Sequence, residues 1–555
     1  MKSFIRWTLR SAAVLVVLGA LLWVNRTAVA LWGVGVLMDL RMPVGPHREI
    51  DWATGVDPEQ RPTGKRPPNI VLILADDLGW NDLTFNGGGV AGGSVPTANI
   101  DSIASQGVTF TNGYAANGTC APSRAALLSG RYPTRFGFEF TPTPPAMPRI
   151  IGMLNADDPL RTRKPILAEN EQAIGDFDEL GMPASEITLA ELLKDVGYHT
   201  VHIGKWHLGG TGGMAAEDQG FDESLLMANG LHLPVDDPNV VNSKQDFDPI
   251  DRFLWRAMKY AASFNGGEAF EPGGYLTDYY TDEAVKVIEA NRDRPFFLYL
   301  AYFAPHTPLQ ATKADYDALS HIKSHRQRVY AAMIRALDRG VGRVLEALRD
   351  NGLENDTLVV FTSDNGGAHY IGIPDVNKPF RGWKITYFEG GIHVPFFAKW
   401  PARIPGGSRY DAPVQHFDVM PTAVAAAGAT LPTDRPIDGR DLLPFVRGES
   451  AGVPHRKLFW RSGASQSALI DGWKLNLSNP PGRAWLFDLR TDPNEKNDLA
   501  AAEPAKVAEM RAEIEAHNAT QVPPSWPSVA AMPINLDKDI TVPDAPDDEY
   551  IYWSN

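Results

Sequence analysis

The sequence predicts an α/β protein, with a large, mainly parallel sheet flanked by helices and a smaller antiparallel sheet near the C-terminus. Between residues 69 and 454, apolar runs of strand length alternate with helical patterns; the clearest runs are residues 70–75, 199–204, 295–303 and 357–362. These runs are continuously apolar, which is typical of strands buried on both faces of a parallel sheet. After about residue 455, short strands separated by turn sequences predict an antiparallel sheet, followed by a helix over 502–518.

The first 38 residues predict export. Three basic residues precede the apolar run 11–24, and residues 28–30 (AVA) resemble a signal-peptide cleavage site. A second apolar stretch, residues 31–38, follows. A retained membrane anchor therefore fits this pattern as well as a cleaved signal peptide does. Either outcome places the folded part in the periplasm or outside the cell.

The rest of the chain divides by composition. Pro, Gly and charged residues predict a linker over 39–68. We expect a catalytic domain over 69–454, a C-terminal subdomain over 455–520 and a Pro-rich, acidic tail over 521–555.

Composition also excludes some classes of protein. Hydrophobic residues make up 44% and charged residues 21% of the chain, as in ordinary globular proteins. The net charge of -15 argues against a nucleic-acid partner, because proteins that neutralise phosphates show a basic face. Cys120 is the only cysteine, so an intrachain disulfide is impossible, although an exported protein could form one.

Residues with chemically active side chains follow four of the predicted strands. Asp76 and Asp77 follow the first, Lys205 and His207 the second, His306 the third, and Asp364 and Asn365 the fourth. In open α/β sheets, ligands bind beyond the carboxyl ends of the strands. We therefore expect these side chains to meet at one edge of the sheet.

Two acidic pairs at one edge indicate a site for a hard cation. Carboxylate and amide oxygens suit Ca²⁺ or Mg²⁺, whereas Zn²⁺ prefers histidine and cysteine. A single Asp-Asp or Asp-Asn pair is more simply a turn or a helix cap, but two pairs at the same edge favour the metal site. Each histidine alone would be interpreted as structural, yet both have Gly or Pro neighbours that mark loops, where catalytic groups usually lie.

The lone cysteine stands at the predicted start of a helix. Pro122 suits a first helical turn and good helix formers follow it. Cys120 then lies where free N–H groups attract anions, and Arg124, one turn further on, would direct a guanidinium to the same place. These surroundings predict a site for a tetrahedral oxyanion. The alternative is that Cys120 is a small core residue, the usual environment of a free cysteine.

The segment CAPSRAALLSGR resembles the signature of the type I sulfatases, in which the cysteine of a C-x-P-S-R motif is oxidised to formylglycine, an aldehyde. Further segments resemble this family in order and spacing: NIVLILADDLGW, GKWHLG, APHTP, TSDNGG and RGWKITYFEGGIHVP. The resemblance extends over roughly residues 67–500, including LFDLRTDPNEKNDLA, and leaves out the N-terminal segment and the tail after about 520. It implies an alkaline phosphatase-like fold and the hydrolysis of sulfate monoesters to an alcohol or phenol plus inorganic sulfate.

Applied to this chain, the resemblance also implies a set of site residues. One Ca²⁺ ion would be bound by Asp76, Asp77, Asp364 and Asn365, with the formylglycine (3-oxoalanine) made from Cys120 as a further ligand. Arg124, Lys205, His207, His306 and Lys384 would surround the sulfate. Lys384 enters only through the resemblance, since spacing alone leaves it as a solvent-facing lysine.

The expected reaction begins with a hydroxyl of the hydrated aldehyde, which attacks sulfur after Asp364 helps to deprotonate it. His306, assisted by Lys384, protonates the leaving group, and His207 accepts a proton from the second hydroxyl. We expect the partners to be a sulfated small molecule or sulfated carbohydrate, a formylglycine-generating maturation enzyme and the export machinery. A retained N-terminal segment would add association with a membrane.

Two other functions fit parts of this pattern. A phosphate or phosphonate ester hydrolase could use the same scaffold, although a two-metal phosphatase would need more carboxylate and histidine ligands. A catalytically inactive, exported protein could bind sulfated glycans, but the presence of Cys120, Pro122 and Arg124 argues against it. The natural ester is not specified, because specificity is expected in the loops near 138–185 and 210–275. The aromatic-rich segment 252–264 is expected to pack as a helix rather than to line a pocket.

Overall fold

The computed structural model describes residues 23–55, 66–144, 147–156, 158, 160–167 and 175–555, together with Trp7 and Ser11. The strands are β1 Asn69–Ala75, β2 Val108–Phe110, β3 Gly113–Tyr114, β4 Ile166–Leu167, β5 His199–Gly204, β6 Glu223–Gly230, β7 Val240–Ser243, β8 Tyr260–Phe264, β9 Phe296–Ala301, β10 Leu309–Thr312, β11 Thr357–Ser363, β12 Phe396–Lys399, β13 Ser408–Tyr410, β14 Val414–Gln415, β15 Lys457–Ser462, β16 Ser465–Ile470, β17 Trp473–Ser478, β18 Arg483–Asp488, β19 Ala530–Asn535 and β20 Tyr550–Ser554. The helices of six residues or more are α1 Arg26–Arg41, α2 Ala98–Ser105, α3 Cys120–Ser129, α4 Met147–Ala156, α5 Leu189–Asp195, α6 Pro249–Ala257, α7 Leu276–Ala290, α8 Lys313–Ala318, α9 His325–Asp350, α10 Val419–Ala427 and α11 Pro504–Asn518.

The largest sheet of the described residues has nine strands in the order β13-β2-β12-β11-β1-β9-β5-β6-β8. The five neighbours β11, β1, β9, β5 and β6 run parallel to one another. The strand β12 is antiparallel to β11 and β2, and β8 is antiparallel to β6. This topology confirms the predicted α/β class with a mainly parallel sheet.

Strand β1 lies at the centre of the core because both of its faces are covered. Val71 and Ile73 pack into a hydrophobic cluster with residues of α7 and α9. Ile70, Leu72 and Leu74 pack on the opposite face with residues of α3, α5 and α10. Successive side chains of a strand point to opposite faces, so a strand between two helical layers has to be apolar throughout.

The predicted C-terminal sheet is also present. Strands β15, β16, β17 and β18 form an antiparallel meander, and α11 packs on it through Met510 and Ile514.

The expected linker and the expected tail are both packed against the folded part of the protein. In the tail, β19 pairs with β20 and with the two-residue strand β4. In the expected linker, Ile50 and Trp52 belong to the main hydrophobic cluster, and the Trp52 indole donates to Glu283 Oε2 at 2.7 Å. Residues 252–264 divide between helix α6 and strand β8 instead of forming one helix.

Most of the N-terminal apolar run 11–24 lies outside the described residues, and α1 begins shortly after it. Over the described ranges, none of the helices has both the length and the apolar character required to cross a bilayer.

Candidate active site

The carboxyl ends of β1, β5, β9 and β11 bring the predicted residues to one edge of the sheet. Asp76 and Asp77 follow β1, and Asp364 and Asn365 follow its parallel neighbour β11. His306 follows β9, and Lys205 and His207 follow β5. The prediction that these residues lie at the same edge is therefore confirmed.

A buried acidic cluster forms between β1, β9 and α3. Single ligand atoms of Asp76, Asp77, Cys120 and His306 lie within 4.8 Å of one another. Asp364 joins the cluster because its Oδ1 accepts a hydrogen bond from the Asp77 backbone N–H at 3.2 Å.

Asn365 completes the oxygen donors of this cluster. Its Nδ2 donates to Asp77 Oδ1 at 2.8 Å. Its Oδ1 is buried and has no hydrogen-bond partner among the described residues. A buried oxygen without a partner costs free energy, and a cation bound among these residues would satisfy it.

Cys120 is the first residue of α3 and is buried against the carboxylates. Its Sγ lies 3.5 Å from Asp76 Oδ1 and 3.8 Å from Asp77 Oδ1. Thr119 has extended backbone angles and the helix begins directly after it, which leaves the first N–H groups of α3 beside the thiol. Burial, together with the charge of Asp364, raises the pKa of Cys120 well above its usual value. A thiol held in its protonated form is a poor nucleophile.

Three cations balance the carboxylates. Arg124 Nη2 lies 2.8 Å from Asp364 Oδ2, and Lys205 Nζ lies 2.6 Å from Asp76 Oδ2. Lys384 Nζ lies 2.7 Å from Asp77 Oδ1. Burial alone would raise the pKa of Asp76, but Lys205, His306 and Arg124 outweigh burial and lower that pKa to about 2. The Asp76 carboxylate is therefore ionised despite its burial.

The proton positions on the two histidines follow from their carbonyl partners. His306 Nδ1 lies 2.5 Å from Thr307 O, so it carries a proton, and His306 Nε2 faces Asp77 Oδ2 at 3.5 Å. His207 Nε2 lies 3.4 Å from Pro142 O and is the protonated nitrogen, whereas its Nδ1 is buried and has no hydrogen-bond partner in the part of the chain that the structure describes. Burial lowers the pKa of both rings, and for His207 Lys205 and Arg124 add to the effect.

Lys384 reaches the site from a tightly bonded loop. Its backbone N–H donates to Gly367 O at 3.0 Å, and the next N–H, that of Ile385, donates to Gly118 O at 2.6 Å. Ile385 has φ of 85°, which is strained for a β-branched residue and is maintained by these contacts. The loop thus joins the segment after Asn365 to the segment before Cys120.

Tyr370 contacts this site and His416 lies next to it, and neither residue was predicted from the sequence. The Tyr370 hydroxyl donates to Asp77 Oδ2 at 3.1 Å. His416 bridges α3 and β11, with Nδ1 at 3.0 Å from Ser123 Oγ and Nε2 at 3.2 Å from Thr362 Oγ1. Burial lowers the pKa of His416 to about 3, so the ring is neutral. Neither residue follows a strand of the parallel sheet, which is the pattern that predicted the acidic residues, Lys205 and the two histidines.

Comparison with known proteins shows the family to which this chain belongs. The family model described as "Sulfatase" matches residues 68–429, which include every residue of the site. The chain belongs to the sulfatase family. It is therefore a sulfuric ester hydrolase. Neither the phosphate ester hydrolase nor the inactive binding protein considered from the sequence gains support from these comparisons.

Relatives of this sulfatase include enzymes from animals and bacteria. It is 38% identical over 482 residues to human N-acetylgalactosamine-6-sulfatase, covering 79% of this chain and 82% of the relative. It is 30% identical over 508 residues to human steryl-sulfatase, covering 78% of each chain. It is 30% identical over 431 residues to the uncharacterized sulfatase YdeN of Escherichia coli strain K12, covering 71% of this chain and 69% of the relative.

Solved structures agree with the fold. The crystal structure of Ps i-CgsB in complex with k-i-k-neocarrahexaose superimposes with a TM-score of 0.68 at 32% sequence identity. The match covers 83% of this sulfatase and 95% of that chain. This likeness agrees with the alkaline phosphatase-like fold that the sequence implied for the large sheet and its helices.

Proposed function

We propose that this sulfatase hydrolyses the sulfate ester of a sulfated carbohydrate, with a formylglycine made from Cys120 and one bound Ca²⁺ ion. The proposal depends most on one observation. Cys120 Sγ lies within 3.5 to 3.8 Å of the Asp76 and Asp77 carboxylates, at the first residue of α3. A side chain made from this cysteine would therefore stand between the oxygen donors and the helix N-terminus.

The donor set fits Ca²⁺. Asp76, Asp77 and Asp364 supply carboxylates, and Asn365 Oδ1 supplies the buried oxygen that has no other partner. Ca²⁺ takes several oxygen ligands in flexible geometry, which suits carboxylates that come from two different strand ends. The same residues would hold the ion beside position 120.

Together, a bound Ca²⁺ ion and the hydrated aldehyde would supply an oxygen nucleophile that is active at neutral pH. The cationic side chains of this chain would bind the sulfate group of the substrate. Arg124, Lys205 and Lys384 present N–H donors beside the carboxylates, and charge-assisted contacts to sulfate oxygens are strong. They supply the local positive charge that an anionic substrate needs in an acidic protein.

The histidines would move the protons. In its protonated form, His306 can donate a proton from Nε2 to the leaving oxygen, because Nδ1 is occupied by Thr307 O. His207 has an unpaired Nδ1 with which to accept a proton from the group at position 120, because its Nε2 is turned towards Pro142 O. Lys384 would assist His306 through the shared contact with Asp77.

The choice of a carbohydrate substrate follows the names of the relatives. One relative is an N-acetylgalactosamine-6-sulfatase at 38% identity, and Ps i-CgsB was solved with an oligosaccharide. A steryl-sulfatase is also a relative, at 30% identity. Steroid sulfates are therefore the alternative substrates against which sulfated carbohydrates should be tested. The proposal further requires a maturation enzyme that oxidises Cys120, and export of the chain.

A sulfate-release assay tests the function. Protein made together with a maturation enzyme is incubated with N-acetylgalactosamine 6-sulfate, a sulfated galactan oligosaccharide, a steroid sulfate and an aryl sulfate. We expect turnover of at least one sulfated carbohydrate and no steady turnover by Cys120→Ser, which folds but has no aldehyde. Faster release of phosphate than of sulfate from matched esters would contradict the proposal, as would an unchanged rate in Cys120→Ser.

A division into a catalytic domain over 69–454 and a C-terminal subdomain over 455–520 remains part of the proposal. The separate hydrophobic cluster between α11 and the meander supports it.

A further inference from the structure

Helix α1 is built into the body of the protein. Leu31 is buried in a cluster formed by α4 and α6, which includes Leu154, Phe253 and Leu254. At the C-terminal end of α1, Lys259 Nζ contacts Asp39 Oδ1 at 2.8 Å. Lys259 Nζ also donates to the carbonyl of Met42 at 3.1 Å, and Gly45 N–H donates to the carbonyl of Ala269 at 2.8 Å. The segment after residue 25 is thus fixed to the fold along its length.

The candidate cleavage site lies inside this helix. Residues 28–30 fall within its first two turns, and cleavage after Ala30 would leave Leu31 at a new chain end. The helix would lose the turn that precedes its best buried residue, and short helices depend on every turn. The packing of α1 therefore favours a chain that keeps these residues.

The outer face of α1 also carries apolar side chains. Val29, Trp32, Val36 and Leu40 are exposed and recur every three or four residues, so they form one stripe along the helix. Trp32 is 66% and Leu40 is 77% exposed. Contiguous exposed apolar surface of this kind marks an interaction site.

Charge indicates what covers the stripe. Residues 1–41 contain five basic residues and one acidic residue, in a chain whose net charge is -15. This basic segment complements anionic lipid headgroups. Trp32, in the middle of the stripe, has the amphipathic side chain that is enriched at membrane–water interfaces.

We propose that α1 is retained in the mature protein and lies flat on an anionic membrane, with the stripe of Val29, Trp32, Val36 and Leu40 inserted among the lipids. Its inner face holds the sulfatase body at the surface through α4 and α6. The inference goes beyond the proposed function and does not depend on it, because no residue of the site takes part.

Fluorescent labelling tests the orientation of the helix. The native Cys120 is buried, so an added cysteine is the thiol that reagents reach. The full chain carrying Val36→Cys or Leu40→Cys is labelled with an environment-sensitive dye, and Val453→Cys, an exposed valine in a distant loop, is the matched control. We expect vesicles of phosphatidylglycerol and phosphatidylcholine to shift the emission at positions 36 and 40 to shorter wavelength, and lipids with shallow quenchers to reduce it. Position 453 should show neither effect.

Three results would overturn the inference. Vesicle-bound protein could show no shift at positions 36 and 40. The shift could appear without vesicles and increase with protein concentration, which would mean that a second copy covers the stripe. Finally, mass spectrometry of protein from the native host should find residues upstream of Arg26, and a mature chain that begins at Leu31 would rule out retention.

Discussion

Three carboxylates, those of Asp76, Asp77 and Asp364, are buried close together, which is unfavourable unless positive charge compensates them. Arg124, Lys205 and Lys384 provide three positive charges at contact distance. A doubly charged cation and inorganic sulfate, the doubly charged product, would add equal and opposite charge to this balanced set. We therefore expect each to bind more tightly in the presence of the other.

His306→Ala tests the proton donor. Loss of a general acid matters most when the leaving oxygen is a strong base, so alkyl and sugar sulfates should lose about 10²- to 10⁴-fold in kcat. Aryl sulfates with acidic phenols should lose much less. The measurement is kcat as a function of leaving-group pKa. The control is His321→Ala at an exposed position, for which this dependence should equal that of the wild type. An equal loss across all leaving groups would mean that His306 does not donate the proton.

Most site residues could be predicted because parallel strands deliver their carboxyl ends to one place. The strand pattern alone predicted that Asp76, His306 and Asp364 belong to the site, whereas Lys384 was predicted only from the family resemblance. Neither the strand pattern nor the family resemblance predicted Tyr370. Its position depends on how a loop without regular spacing folds back onto Asp77. Sequence periodicity carries no information about such a loop.

The C-terminal meander is joined to the loop of Lys384 by a buried charge cluster. Lys474 Nζ of β17 contacts Glu389 Oε1 at 2.5 Å and Glu495 Oε1 at 3.1 Å. Glu495 Oε2 accepts from the Glu389 backbone N–H at 2.6 Å. The turn that begins at Glu389 is itself bonded to the segment after Asn365, because Gly366 N–H donates to Gly391 O at 3.0 Å. Through these contacts the meander helps to hold the loop of Lys384 and the segment after Asn365 in position.

This cluster predicts a pH dependence of stability. Burial, opposed by Lys474 and reinforced by Glu389, raises the pKa of Glu495 to about 7. A carboxyl whose pKa is higher in the folded than in the unfolded state stabilises the fold below its unfolded pKa, and this contribution is lost as pH rises through about 7. Glu389, whose pKa Lys474 and His393 lower to about 2 against the effect of burial, contributes in the opposite sense and only in strong acid.

We expect the melting temperature of the wild-type protein to fall between about pH 4.5, the ordinary pKa of a glutamate, and about pH 7, the raised pKa of Glu495, through this group. Glu495→Gln should fall less over the same range, whatever its absolute stability, while the exposed Glu509→Gln should follow the wild type. Calorimetry at several pH values measures the slopes. An identical slope in Glu495→Gln would show that Glu495 does not titrate in this range.

At the level of the whole molecule, the sequence predicted the large sheet and the meander because their strands are long, buried and regularly spaced. The tail was not predicted to fold, because its strands β19 and β20 are stabilised by each other and by two residues of β4, some 360 residues earlier in the chain. The packing of Ile50 and Trp52 into the core was likewise not predicted, because the composition of their segment is typical of a linker. Contacts of that kind depend on the finished fold rather than on local pattern.

Ca²⁺ should stabilise the entire fold, because its proposed ligands come from two strands of the central sheet. At about one hundred times its dissociation constant, the ion would add about 2.7 kcal/mol to the free energy of unfolding. Asn365→Ala should lose most of this gain, and Asn351→Ala, at the distant end of α9, should keep it. Thermal unfolding with Ca²⁺ and with a chelator makes the comparison. An equal gain in both variants would exclude Asn365 as a ligand.

The most direct measurement is mass spectrometry of the peptide that contains position 120, on protein purified from cells that have the maturation enzyme. Formylglycine makes this peptide about 18 Da lighter than the cysteine form. We expect the lighter form to be present, and its fraction to rise in proportion to sulfate release across preparations. Full sulfate release from protein in which the thiol is intact would contradict the account.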